Sequence, residues 1–192
     1  MGDANEDRAK AQALPDGDAI GMLLEQHARI RDLFDQVKSA TGEEKKDAFD
    51  ALRALLAVHE TGEELVLRPV TEKIAGERVA LARNEEEKEA NVVLAKLEKM
   101  SVEDADFDVQ LAAFEQAVVE HAEAEEAEEF PQVISGCDEA ERRRMGTKLK
   151  AAAALGPTHP HPSVAGNRTA QLMTGPFASM IDRVRDAIAA VG

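Results

Sequence analysis

One eleven-residue frame occurs twice in this chain, as HETGEELVLRP at residues 59–69 and as HAEAEEAEEFP at residues 121–131. In both copies a His is followed by Glu at +4, Glu at +5 and Pro at +10. Residues four apart on a helix stack on one face, one 5.4 Å turn along the axis. Each His-x-x-x-Glu therefore presents an imidazole and a carboxylate side by side. The flanking apolar residues show where that face points. Phe49, Leu52, Leu56, His59, Glu63, Val66 and Val70 recur at three- and four-residue steps, as do Phe107, Leu111, Phe114, Val118, His121 and Glu125. In both segments the His and the first Glu take core positions, while Glu64 and Glu126, rotated by about 100° in a regular helix, are expected to face solvent. Burying uncompensated carboxylates costs several kcal/mol each, so a cation held inside is the economical explanation.

The rest of the chain supplies matching helices. Abundant Ala, Leu, Glu and Lys, with six Phe and no Tyr or Trp, favours an all-α protein over a β-sandwich. A first long helix, capped by Asp18 and broken at Thr41-Gly42, carries Leu23, Leu24, Ile30, Phe34 and Val37 on one stripe together with His27. A third, from about Arg78 to Met100, has Ala90, Val93, Leu94 and Leu97 inward, and its periodicity accepts either Glu86 or Glu87 on the same face. Pro69 is expected to bend or end the second helix. The expected organisation is a flexible N-terminal arm over residues 1–17, a four-helix bundle over 18–135 and a C-terminal extension over 136–192. That extension holds a short amphipathic stretch, a Pro-rich loop with His159 and His161, and a last helix with Phe177, Ile181, Val184, Ile188 and Val191 on one side.

A net charge of -15 without a basic cluster argues against nucleic acid as a partner. No apolar leader and no run of about eighteen apolar residues is present, so a cytoplasmic protein that does not cross a membrane is expected. The single Cys137 has no His partner in its stretch and is not expected to act as a nucleophile. His159 and His161, flanking Pro160, read as exposed turn residues.

LLEQHARIRDLF, HETGEELVLRP and HAEAEEAEEFP together resemble the hemerythrin-like (HHE cation-binding) family, whose pattern is a His on the first helix, H-x-x-x-E on the second, a His on the third and H-x-x-x-E on the fourth. The resemblance implies a bundle holding two iron ions, oxo- or hydroxo-bridged, with His27, His59, Glu63, His121 and Glu125 as ligands. It aligns Glu87 with the family's third-helix His, giving three His and three Glu. Such a shell lies between the His-rich hemerythrin site and the carboxylate-rich ferritin-like site, and its extra carboxylate favours the ferric state. Three carboxylates and a bridge nearly neutralise two ferric ions, whereas zinc, usually four-coordinate, needs fewer ligands. The implied function is binding or reaction with a small ligand: O2, NO, H2O2 or a probe such as azide. The absence of Tyr and Trp argues against a radical-relaying, ribonucleotide-reductase-like role. Two other readings use the same residues: a module sensing iron, oxygen or NO through metal-dependent stability, and a metal-free helical interaction protein with a buried polar network.

Overall fold

A computed structural model describes residues 3–153 of the 192-residue chain. The expected Pro-rich loop with His159 and His161, and the closing helix from Phe177 to Val191, lie outside the described residues.

The chain is all-α, built around a four-helix bundle. Helix α1 spans Ala4–Gln12, α2 Ala19–Ser39, α3 Gly42–Gly62, α4 Arg68–Ala75, α5 Glu77–Leu97, α6 Phe107–Ala124, α7 Phe130–Gly136 and α8 Glu139–Ala153. The bundle consists of α2, the α3–α4 rod, α5 and the α6–α7 rod. Short links at Ala40–Thr41 and at Gly76 force antiparallel neighbours. Gly76 takes φ 89°, a left-handed conformation that closes α4 and starts α5.

Pro69 and Pro131 do not end their helices. Between α3 and α4, and again between α6 and α7, the backbone widens into one π-helical turn, Glu63–Leu67 and Glu125–Glu129. There the Arg68 N–H donates to the Glu63 carbonyl and the Phe130 N–H to the Glu125 carbonyl, five residues back rather than four. In a regular helix each proline ring would press on the carbonyl four residues earlier and withhold a donor. The π turn absorbs that conflict, and the rod continues. It also explains the repeated +10 proline, which stands six residues beyond a Glu that opens a π turn in both copies.

The bundle's core falls into two apolar clusters. One gathers Leu23, Leu24, Val58, Leu67, Phe130 and Val133; the other Ile30, Phe34, Leu52, Leu56, Phe107 and Phe114. His27, His59, Glu63, His121 and Glu125 are all buried where the stripes pass from one cluster to the other. A polar layer thus splits the core.

Two elements lie outside the four rods. Residues 4–12, expected to be part of a loose arm, form α1, which packs on α2. The helix has no apolar stripe to betray it. It is held by polar contacts: Asp3 caps the N–H groups of Asn5 and Glu6 at 2.8 and 2.9 Å, Arg8 pairs with Asp32, and the fully buried Asp7 accepts from Arg31 Nε at 2.8 Å. Helix α8 folds back over α2 and α3. It comes so close to the loop before α2 that a Cβ on Gly146 would sit 2.1 Å from the Gly17 carbonyl oxygen. Arg142 of α8 locks this approach, donating from Nε to Asp18 at 2.6 Å and from Nη1 to the Cys137 carbonyl at 2.8 Å.

Asp18 does two jobs, accepting from Arg142 and, at 3.0 Å, from the Ile20 N–H at the start of α2. Replacing Asp18 by Ala removes the cap and strands a buried guanidinium, a loss of about 3 kcal/mol. Asp18→Asn keeps the cap and should cost about half as much. Denaturant titrations of the two variants, measured side by side, check the order; equal losses would mean that the cap contributes nothing, and an Asp18→Asn variant as stable as wild type would mean that the charge opposite Arg142 contributes nothing.

Candidate metal centre

The six residues singled out in the sequence converge in the middle of the bundle. His27 comes from α2, His59 from α3, Glu87 from α5 and His121 from α6, while Glu63 and Glu125 stand at the first positions of the two π turns. They form two overlapping sets, His27, His59, Glu63 and Glu125, and Glu63, Glu87, His121 and Glu125, within each of which one ligand atom per residue lies within 4.8 Å of all the others. Glu63 and Glu125 belong to both. A carboxylate has two oxygens, so these two can serve both halves of a paired site.

The three imidazoles are oriented alike. His27 Nδ1 donates to Glu126 Oε1 at 3.0 Å, His59 Nδ1 to Gln26 Oε1 at 2.9 Å and His121 Nδ1 to Glu86 Oε2 at 2.9 Å. Each acceptor is an oxygen, which places the proton on Nδ1 and aims Nε2 inward, the arrangement that holds a metal-binding His in one tautomer. The Nε2 atoms lie 3.4 Å from Glu125 Oε2 for His27, 3.4 Å from Glu63 Oε2 for His59 and 3.3 Å from Glu125 Oε1 for His121. His27 also stacks on Phe130, with ring centroids 5.6 Å apart.

The hydrogen-bond account does not close around this cluster. His27 Nε2, His121 Nε2, both oxygens of Glu63 and Glu125 Oε2 are buried without a hydrogen-bond partner among the described residues. Buried polar atoms are nearly always satisfied, and five orphans aimed at one point suit a bound cation. The residues present therefore fit a bound cation.

Sequence reasoning missed several participants. Between Glu86 and Glu87, the structure puts Glu87 in the ligand cluster and Glu86 behind His121. Glu126, expected at the surface, is the acceptor for His27, while its counterpart Glu64 is exposed as expected. The two differ because α1 covers only one of the frames, and Lys10 reaches Glu126 Oε2 at 2.8 Å. Arg68 and Glu129 are buried beside the carboxylates. The only sequence signal for Glu129 was its place four residues after Glu125 on an acidic run.

The environment splits the titrations widely. Burial, with Glu125 alongside, pushes the Glu63 carboxyl well above the usual carboxylate range. Burial acts the same way on Glu125, but His121, His27 and Arg68 outweigh it and hold Glu125 well below that range. Burial works against a charged His121, yet Glu125, Glu86 and Glu87 raise it to about 9. His27 is raised as well, against its burial, by Glu125 and Glu126. His59 goes the other way, pushed well below its ordinary value by burial and by the charge of His27.

A proton on Nε2 occupies the position that a metal would take, so a cation must displace it. Loading with a divalent cation at pH 8, below the His121 value of about 9, should release protons. Apparent affinity should rise with pH up to about 9 and level off above it. An indicator dye in weak buffer measures the release, and no change in proton count on loading would contradict the assignment of His121.

An apolar cavity of about 30 Å3 adjoins the cluster, walled by the three His with Leu56, Ala90 and Val118 among its lining. It has room for a molecule of two or three heavy atoms and for little more.

The comparisons with known proteins agree with this geometry. A structure of a hemerythrin HHE cation binding domain-containing protein from Mycobacterium kansasii superposes with a TM-score of 0.67 at 19% identity, covering 86% of this chain and 98% of that one, which shows the fold. An uncharacterised hemerythrin-like protein of Schizosaccharomyces pombe is 26% identical over 168 residues, 85% of this chain and 83% of that protein. The sequence pattern of the hemerythrin HHE cation binding domain matches residues 18–133. With its His- and Glu-bearing helices enclosing a cation-fitting cluster and its sequence matching the domain over residues 18–133, the chain belongs to the hemerythrin HHE cation-binding family.

Proposed function

We propose that this protein is a non-haem di-iron protein that binds or reacts with a small diatomic or peroxide, O2, NO or H2O2, inside the bundle. The observation that carries this reading is the pair of ligand sets sharing Glu63 and Glu125, with five buried atoms still seeking a partner. His27 and His59 would hold one iron, His121 and Glu87 the other, and the shared carboxylates would bridge them. When bound, an iron pair supplies a redox-active centre with positions open to an exogenous ligand.

The protein's own contribution is positioning and exclusion. Gln26, Glu86 and Glu126 fix the imidazole planes through Nδ1, so the ligands do not have to be ordered at the moment of binding. The cavity, where Ile30, Leu56, Ala90 and Val118 stand beside the three His with Arg31 and Glu60 also in its lining, would admit a small neutral molecule. Its size argues against organic substrates.

A sensing role uses the same residues. The ligands come from all four rods, so occupancy would tie together elements that unpaired buried carboxylates otherwise destabilise. The metal-free reading is disfavoured, because a self-sufficient polar network would not leave both Glu63 oxygens without a hydrogen-bond partner.

Protein expressed with iron should contain about two irons per chain by elemental analysis, and one zinc or no metal would sink the di-iron reading. With no Trp or Tyr to absorb beneath it, the ferric pair should be visible in the near ultraviolet, and added azide should produce a new visible band. A spectrum unmoved by saturating azide would point to a closed, structural site. Turnover of peroxide by the loaded protein, against mere occupancy-dependent stability, separates enzyme from sensor.

Neighbouring carboxylates in the first frame provide the control. Glu63→Ala should abolish one or both irons and lower the melting temperature of loaded protein, whereas Glu64→Ala, at an exposed position, should keep its iron and shift stability by only about 0.5 kcal/mol. Equal iron content in both variants would remove Glu63 from the centre.

A further inference from the structure

The two halves of the centre differ, and the difference traces to Arg68. The repeated frame puts Arg68 and Phe130 at equivalent positions, nine residues after His59 and His121. Phe130 lies against the ring of His27, 18° from parallel. Arg68 lies instead against Glu87, with Nη2 2.5 Å from Glu87 Oε1 and 2.7 Å from Glu125 Oε1. One half pairs an imidazole with an aromatic ring, and the other pairs a carboxylate with a guanidinium.

The guanidinium is anchored from behind. Its Nη1 donates to Glu129 Oε2 at 2.5 Å, and the other Glu129 oxygen accepts from the Thr71 hydroxyl at 2.5 Å. Arg68, Glu129 and Thr71 are all buried, so this is a built position rather than a surface side chain caught in one pose. The oxygens that Nη2 takes are the ones nearest His121 Nε2, Glu87 Oε1 at 3.7 Å and Glu125 Oε1 at 3.3 Å. They are the atoms a metal in that half would need. In this half only His121 Nε2 is left without a hydrogen-bond partner among the described residues; in the other half His27 Nε2 and Glu125 Oε2 are, and so are both oxygens of the shared Glu63.

We infer that Arg68 is the resident cation of the His121 half: its guanidinium competes with a metal ion for Glu87 Oε1 and Glu125 Oε1, so the His27–His59 half fills first and the second ion binds more weakly. This rests on the metal-centre reading above. Two positive charges a few ångströms apart repel in a low-dielectric interior, so the second ion binds only as Arg68 turns away from the shared oxygens. Arg68 thereby sets how many ions the centre holds at a given metal concentration.

The full chain is titrated anaerobically with manganese(II), the free ion being followed by its six-line electron paramagnetic resonance signal. The wild-type protein should show two classes of site, the second weaker by at least about tenfold. Arg68→Met combined with Glu129→Gln removes the guanidinium without stranding its buried partner, and should tighten the second class by about tenfold while leaving the first within about twofold. Glu87→His with Arg68→Phe copies the His27–Phe130 pair, and should bring the two classes close together. Arg68→Lys keeps a cation nearby and should preserve the gap. Two equal classes in the wild type, or a second class unmoved in both double variants, overturn the role of Arg68 while leaving the metal centre standing. Binding of no manganese(II) by the wild type overturns both.

Discussion

Everything in this structure is arranged around carboxylates buried in the middle of a helix bundle. Glu63, Glu125 and Glu129 are fully buried, and Glu87 stands beside them. No packing of Leu and Phe offsets several unpaired charges at once. Compensation must therefore come from cations, and the chain recruits them at three distances. Imidazoles and Arg68 act inside the cluster. Arg31 and Lys10 meet Asp7 and Glu126 one layer out. The remaining orphaned atoms fit a bound cation as the third source. The two apolar clusters on either side then do ordinary work, holding four rods in register so that ligands from separate helices meet.

The π turns are the backbone counterpart of that balance. A regular helix would rotate successive side chains uniformly and would meet Pro69 or Pro131 with a steric conflict. One widened turn resolves the conflict and sets Glu63, or Glu125, at the point where the helix is locally re-phased. The accommodation of the proline and the placement of Glu63 and Glu125 are thus consequences of one backbone feature that the repeated proline marks.

How much of this was legible in the sequence depends on the kind of interaction. The stripes carrying His27, His59, Glu63, His121 and Glu125 could be read because ligand and apolar neighbours share one helical period, and Asp18 could be read because caps are local. Glu86 and Glu87 could not be separated by periodicity, since both sit at the shoulders of the same face. Arg68 was invisible for a related reason: a charged residue before a proline on an acidic helix looks like surface until the π turn rotates it inward. Helix α1 was missed because its docking depends on ion pairs such as Asp7–Arg31 and leaves no apolar period to detect. Patterns within one helix survive in the sequence; partnerships between helices do not.

Helix α1 carries a practical consequence for anyone trimming this protein. The family's sequence pattern begins at residue 18, after α1 has ended. A fragment cut at that edge would retain all six candidate ligand residues and would look intact by motif. It would nevertheless lose Lys10 from Glu126 and Asp7 from Arg31, and with them the outer support of the carboxylate that orients His27. The start of the family's pattern and the boundary of its working electrostatics fall in different places, and α1 between them belongs to the centre as much as to the N-terminus.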